Sequence, residues 1–553
     1  MPIPTETDIF IAGCGPCGLM LANELGRRGV RTVLVDAKEG TAFNPQANAT
    51  QARSMEHYRR HGFADEIRAL GMPPDFPPDI AYFTRLAGYE LARFEMPRAM
   101  DAKQVVRGLS GSWSAAELPH RVSQKFVERI ILKHAKKYPG NAIHFNTRLV
   151  GFRDCGTHVE CTTEPAGGGP QTVTRAKYLV GADGARSFVR RELGVNLSGE
   201  AGVQREFMGG RMYAVYLDCP DFYKVMPHRP AWMNVTVNAE QRCFMTAIDG
   251  KSEFAYHFQL RPGQDDETMT EAEAKRQVCI GFGVELPMRI LSRLSWTAGY
   301  TLVADRMRAG RVLIGGDAAH LFTPAGGMGY NTAIEDAVNM GWKLAALVSG
   351  VAGETLLQSY EDERRAIAVR NTGFARQLAD SLGNFVAVPE LEAATPEGEK
   401  ARAIAGEYYN RHARVEFNIP GFTFGARYDG SPVIVSDGTQ PPPDGPNIYH
   451  PTACPGGRAP HVWLQDGRSL YDAFHPQWTL LRMTPGAPAG DFETAFAAAG
   501  LDLRVLDLPG KDLRDLYEAD MALIRPDQIV AWRGSGRSAD AAGIARTVAG
   551  QGR

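Results

Sequence analysis

Three short stretches of this chain combine glycines and acids at spacings suited to holding a dinucleotide: Gly13-Cys14-Gly15-Pro16-Cys17-Gly18, Gly181-Ala182-Asp183-Gly184 and Gly315-Gly316-Asp317-Ala318-Ala319-His320. One such stretch is a common accident, but three in this order, well over a hundred residues apart, are hard to reach by chance. In the first, Gly13 permits a tight turn, Gly15 lets the backbone approach a pyrophosphate, and Gly18 lets a helix pack against the preceding strand. The N-terminus of the helix that follows Pro16-Cys17-Gly18 offers its free N–H groups to the phosphates. Asp36, followed by Ala37, ends the next apolar run, Arg31-Thr32-Val33-Leu34-Val35, and an acid there accepts a hydrogen bond from an adenosine ribose. Cys14-Gly15-Pro16-Cys17 also spells the Cys-x-x-Cys of dithiol proteins. Both cysteines, however, fill variable slots of the turn, where a disulfide would obstruct the approach of a phosphate.

The elements around these stretches are of the right kind. Asp8-Ile9-Phe10-Ile11-Ala12 reads as a strand and Met20 to Leu25 as a helix, so the first glycines sit at a strand-to-helix turn. Gln51 to Leu70 reads as helical. The proline-rich crossing Gly71 to Pro78 then leads to two strands at Ala81–Thr84 and Tyr89–Phe94. A helix from His120 through His134 and strands at Ile143–Phe145, Thr147–Arg153 and Val159–Thr162 return the chain to the nucleotide domain. From about 195 to 295 the pattern is β-rich, and Tyr300–Ala304 and Val312–Ile314 return to the first domain ahead of a long helix, Asn331 to Val348. The fold class expected is α/β: a Rossmann-like nucleotide-binding domain with an inserted β-sheet domain and a further C-terminal domain.

Composition excludes several functions. The 553 residues suffice for two or three domains with large cores. Lys plus Arg number 61 against 63 Asp plus Glu, a net charge of −2, so no basic field suggests nucleic acid or an anionic membrane. The eight cysteines form no disulfide framework, the first eight residues lack the features of a signal peptide, and no apolar run approaches a membrane span. A cytoplasmic protein binding neither nucleic acid, membrane nor metal is the expectation.

With these motifs the chain resembles the single-component, FAD-dependent aromatic hydroxylases, the family of p-hydroxybenzoate, phenol and pentachlorophenol hydroxylases and the polyketide hydroxylases. The resemblance implies bound FAD reduced by NAD(P)H, with Asp183 and Gly184 serving both cofactors and Gly316-Asp317 binding the ribityl chain. It implies that Arg121 and Gln124 contact the FAD phosphates or ribityl, and that the backbone near Leu149 touches adenosine. Pro324-Ala325-Gly326-Gly327-Met328-Gly329-Tyr330-Asn331 would wrap the isoalloxazine ring, with partial positive charge at the helix start facing N1 and the C2 carbonyl and Pro324 stiffening the loop. Two positions depart from the family pattern. Gln46 stands where many relatives carry Arg or Lys, which removes a cationic contact to FAD, and Tyr330 replaces a smaller residue, either shaping the pocket or capping the helix.

The implied domains are 1–75, 100–190 and 295–365 for FAD, 76–99 and 191–294 for a substrate sheet, 366–440 for a helical segment and linker, and 441–553 for a tail. Gln440-Pro441-Pro442-Pro443-Asp444-Gly445-Pro446 favours extended, non-packing backbone across which few contacts pass. The segments Gly457–Val462, Leu470–Phe474, Trp478–Leu481 and Ala522–Arg533 resemble the thioredoxin-like tail of phenol hydroxylase relatives, but with Cys454 alone the tail cannot run dithiol exchange.

The activity implied is hydroxylation of a phenolic or polycyclic aromatic by NAD(P)H and O2 through a flavin C4a-hydroperoxide, in a homodimer. Pro324 would lie beside the flavin, Tyr256 would point toward the ring-binding pocket, and His320 or His257 would meet a phenol oxygen, with second-shell packing the competing role for His320. No arginine falls where the p-hydroxybenzoate relative grips a carboxylate, which disfavours a simple benzoate. Baeyer–Villiger insertion, epoxidation, and a flavin redox sensor using Cys14 and Cys17 are the alternatives.

Overall fold

The computed structural model describes residues 2–551 apart from 204–206, 262, 265 and 538. Its first sheet is built on the strand Glu6–Ala12, in which Ile9, Phe10 and Ile11 are all fully buried. A strand covered on both faces carries consecutive rather than alternating apolar residues, and parallel sheets demand this. Glu6–Ala12 runs parallel to Thr32–Val35 on one side and Thr172–Gly181 on the other. Asn141–His144 and Val312–Ile314 extend the parallel array at its two flanks. The helix Pro16–Gly26 packs between the helices Gln124–Ala135 and Met328–Val348. All three glycine stretches follow directly on strands of this sheet, after Ala12, Gly181 and Ile314. They therefore gather at the carboxyl ends of the strands, where open α/β sheets bind ligands.

The second sheet has seven strands in the order Arg289–Ala298, Gly210–Asp218, Glu253–Gln259, Arg242–Ala247, Met233–Val237, Ile80–Phe83 and Glu90–Phe94. The excursion at 80–94 thus joins the later β-rich segment in one sheet. Thr301–Ala304 does not return to the nucleotide sheet. It pairs instead with Leu197–Glu200 and His320–Phe322 in a small separate sheet.

The segment 366–440 is more than a helix and a linker. The helix Pro396–Phe417 packs against the second sheet, where Tyr409 stacks on Tyr82 at 4.7 Å, while Glu354–Gly383 packs on the long helix and the small sheet and adds Leu382 to the second-sheet core. The proline-rich stretch is tied down as well, through Arg370 on both oxygens of Asp444.

The tail has the order strand Trp478–Arg482, helix Gly490–Ala498, strand Leu503–Asp507, helix Lys511–Tyr517, strands Met521–Ile524 and Val530–Gly534, helix Ala541–Val548. Trp478–Arg482 lies between a parallel and an antiparallel neighbour, the mixed sheet of a thioredoxin-like domain. It shares a core with the first domain, where Trp342 meets Trp478 edge-on at 5.7 Å. Buried ion pairs cross the same boundary: Arg458 on Glu56 and Arg525 on Glu363. The proline-rich stretch therefore does not mark a boundary of few contacts. No described helix is long and apolar enough to cross a membrane.

Candidate active site

The first two motifs are interlocked through backbone. Gly13 has φ +107°, and a side chain there would meet the Ala182 carbonyl oxygen at 2.1 Å; one at Gly18 would meet the Gly13 carbonyl oxygen at 2.0 Å. Gly15 faces open space instead. The helix that starts at Pro16 has neither a side-chain cap nor an acid in its first turn. Its end N–H groups are thus free for an anion approaching over Gly15. Asp36 closes the turn, accepting from Cys14 N at 2.8 Å with one oxygen and from Lys38 N at 2.9 Å with the other, while Ala37 beside it is exposed. Leu149 lies at a bulge in the strand Thr147–Asp154, whose first residue bonds the Asp36 carbonyl.

Cys14 and Cys17 are 2% and 5% exposed and unbridged. Burial pushes both thiols well above the ordinary range, reinforced at Cys14 by Asp36 and at Cys17 by Asp336. They are poor thiolates, which counts against dithiol chemistry. Asp183 is largely committed to its own turn: Ser187 Oγ donates to it at 2.5 Å and the Phe188 and Val189 amides at 2.7 and 3.1 Å. Gly184, at φ +81°, remains open.

Asp317 faces the open cleft, yet protein surrounds it on most sides, and that desolvation raises its carboxyl against the pull of His320. Its turn is held from behind by Asp336, a residue the sequence motifs do not include. Asp336 accepts from Gly316 N at 3.0 Å, pairs with His320 Nε2 at 2.7 Å and receives Arg364 Nε at 2.7 Å. His320 is fully buried, so the structure gives it the packing role rather than contact with a substrate oxygen.

The turn before the Met328–Val348 helix is clamped from two sides. Gln51 Nε2 donates to Gly326 O at 3.0 Å, and Gly326 N donates to Glu416 Oε1 at 2.9 Å. Asn331 accepts from Gln51 N and Ser54 Oγ and donates to Ala49 O and Gly327 O. The helix start at Gly327 again lacks a side-chain cap. Pro324 is exposed at the mouth of this turn, and Gln46 is exposed on the facing loop. Met328 is buried against Leu378 and Gly329 packs on Phe322, so both act through backbone alone. The Tyr330 hydroxyl bonds that of Tyr58, an internal strut between helices. Gln124 lies alongside, its amide on Ala47 O at 2.7 Å and its side chain on Glu128.

Two expected residues stand elsewhere. Tyr256 is sealed on the far face of the second sheet, against Phe282 of the helix Glu271–Phe282, with its hydroxyl on Gln241 at 2.6 Å. Strand alternation sends the neighbouring His257 to the other face, where it stacks on Phe244 at 4.4 Å. Arg121 lies over Trp232 at 4.6 Å, in the wall of a cavity of about 240 Å³ lined by Met72, Phe76, Phe94, Trp113 and Phe417. Burial pushes its guanidinium down to about 10, opposed by Glu416. Asp336, Arg364, Gln51 and Glu416 were not legible as site residues; buried charges on apolar helix faces are the signal that could have found Asp336, Arg364 and Glu416, and the neutral Gln51 gave none.

Two uncapped helix starts, an open glycine turn and a carboxylate facing the cleft fit the pyrophosphate, ribityl and ring of FAD. Residues 6–375 match the FAD binding domain family, and residues 452–551 match the aromatic-ring hydroxylase C-terminal family. The chain is 30% identical to the 2,4-dichlorophenol 6-monooxygenase of Delftia acidovorans, over 96% of this chain and 95% of that one. It is likewise 30% identical to the aklavinone 12-hydroxylase RdmE of Streptomyces purpurascens, over 97% of each. The solved structure of RebC with bound 7-carboxy-K252c superposes with a TM-score of 0.89 at 30% identity, covering 99% of this chain and 100% of that one. The chain belongs to the FAD-dependent aromatic-ring hydroxylases, and it is a flavoprotein monooxygenase.

Proposed function

We propose that this enzyme hydroxylates a phenolic, multi-ring aromatic compound at the expense of NAD(P)H and O2. The observation that carries the reading is the 240 Å³ cavity, walled by aromatic rings and one step from the clamped Gly326 turn on two sides. His120 in its wall pairs through backbone with Thr50, next to Gln51, and Phe417 follows Glu416; Gln51 and Glu416 are the two clamps on Gly326. Relatives that act on phenolic and polycyclic aromatic compounds support the substrate class.

Bound FAD supplies the electron transfer and oxygen activation that side chains lack. The chain's residues do the rest. Gly15 and the start of the Pro16–Gly26 helix would receive the pyrophosphate, and Asp317 would accept ribityl hydroxyls. The helix start at Met328, behind the Gly326–Gly327 turn, would seat the ring with free N–H groups and partial positive charge. The largely apolar cavity would hold the aromatic ring in place for attack.

In the same proposal the protein is a homodimer working in a reducing cytoplasm, a setting that its eight free cysteines suit. A screen of phenols that pairs NAD(P)H consumption with product mass tests the function. Substrate-stimulated oxidation with insertion of one oxygen into a ring C–H bond is expected. A lactone or epoxide product, or no stimulation by any phenol, overturns it.

A further inference from the structure

Arg121 is a cation buried without an anion. The residue is 4% exposed, and its guanidinium sits between two rings, 4.6 Å from the centre of Trp232 and 5.8 Å from that of Phe417. Among the described residues its one hydrogen-bond acceptor is the Met96 sulfur at 3.5 Å, a weak one, and its Nε has none. The other charges around the cavity are taken. Arg68 pairs with Glu117 at 2.8 Å and Glu95 with Arg229 at 2.6 Å. Glu416, the acid whose field reaches Arg121, accepts from Gly326 N and pairs with His412 at 2.7 Å. A dry guanidinium is costly to hold unless something supplies its counter-charge.

Its position says what that something is. Trp232 leads into the strand Met233–Val237 of the second sheet, and Phe417 ends the helix Pro396–Phe417. The guanidinium therefore lies between the substrate sheet and the helical layer, held over the ring of Trp232. A fork fixed in this way suits the two oxygens of a carboxylate. The remaining wall, with Met72, Phe76, Phe94 and Trp113, is apolar and largely aromatic.

We propose that this cavity binds an aromatic acid, with the carboxylate of the ligand on Arg121 and its rings against Phe76, Phe94, Trp113 and Phe417. That the occupant is also the compound hydroxylated rests on the function proposed above; the binding itself does not.

The test compares 2-naphthoic acid with naphthalene-2-carboxamide, a neutral molecule of the same shape, on the FAD-loaded enzyme near neutral pH by calorimetry. The acid is expected to bind at least about tenfold more tightly, as a charge-assisted pair requires. Arg121→Met abolishes that preference, Arg121→Lys keeps part of it, and FAD content stays unchanged in both. Equal affinities for acid and amide in the unmodified enzyme overturn the proposal without recourse to any variant. So does an Arg121→Met protein that keeps the preference, or an Arg121→Lys protein that loses FAD, which would return Arg121 to the cofactor. If the acid is preferred yet no aromatic compound stimulates NAD(P)H oxidation, this site stands and the hydroxylase reading fails.

Discussion

Asn331 and Gln51, 280 positions apart in the chain, are joined across the mouth of the cofactor cleft by a 2.8 Å hydrogen bond from the Gln51 amide to Asn331 Oδ1. Asn331 lies in the first turn of the long helix Met328–Val348, and Gln51 is the N-cap of the helix Ala52–Arg60. One side chain thus sets the spacing between the loop carrying Gln46 and the turn carrying Gly326. The Gln51 side chain closes the same circuit on Gly326 O.

Asn331→Ala strips partners from four groups at once: Gln51 N, Ser54 Oγ, Ala49 O and Gly327 O. A buried polar group left unpaired costs about 1–3 kcal/mol. FAD titration of the variant should show a dissociation constant raised by about tenfold or more, with a melting temperature several degrees lower. Asn331→Asp keeps the accepting half of the set and should fall between the two.

Asp317→Ala removes a charged acceptor facing the cleft, a contact worth about 1.5–3 kcal/mol. FAD affinity should drop roughly ten- to a hundredfold by the same titration. The group also gives the FAD-free protein a pH signature. Its carboxyl keeps its proton to higher pH in the folded chain than in the unfolded one, because burial raises it above 3.8. The stability it contributes is thus fully present below pH 3.8 and is lost as pH rises through the raised value. FAD-free Asp317→Asn should gain on the unmodified protein across that interval in thermal melts, and a constant difference would contradict the assignment.

Cys14→Ser combined with Cys17→Ser should leave FAD content and turnover nearly unchanged. Cys17 packs its Cβ on Gly316, and serine is small enough to occupy the slot. Loss of NAD(P)H oxidation with FAD retained would point to dithiol chemistry instead.

The parts of the molecule legible in the sequence are those where backbone conformation decides the residue. Gly13 and Gly18 have no alternative where a Cβ would strike a carbonyl oxygen, and Ile9 to Ile11 announce a strand buried on both faces. Side-chain partners were much less legible. Tyr256 and His257, both expected at the pocket, are neighbours in one strand and so fall on opposite faces, and nothing in the pattern says which face looks toward the cleft. Arg121 sits three residues before Gln124, and the family resemblance implies a cofactor contact for both, whereas the backbone at the helix start sends the two side chains to different neighbours. The helix Pro396–Phe417 was hidden by its many charged residues, and its Glu416 clamp depends on a tertiary contact 90 positions away.

The same blindness to long-range charge pairing hides how the tail is anchored, and truncation before about Pro441 should abolish a soluble, FAD-bound protein. Glu363 explains why. Its carboxylate, fully buried, receives Lys343 Nζ at 2.6 Å, Asn339 Nδ2 at 2.6 Å, Ser431 Oγ at 2.7 Å and Arg525 at 2.7 and 3.0 Å. Arg525 comes from the tail, and removing it leaves the Glu363–Lys343 pair without its strongest donor while uncovering Trp342 and Leu356. Removing one partner of a buried ion pair costs about 3–5 kcal/mol, a large share of a domain's stability. Arg525→Leu in the full chain isolates the effect and should lower the melting temperature and FAD content together. Acid should act on the same contact. Burial pushes the Glu363 carboxyl up, but Arg525 and Lys343 outweigh it and hold it well below 4.5. The stability this gives is present above pH 4.5 and lost as pH falls toward the depressed value. Melts of Glu363→Gln and the unmodified enzyme should therefore converge as pH drops below 4.5. Parallel curves, or a truncated chain that stays soluble with full FAD, would show that the tail is an independent module after all.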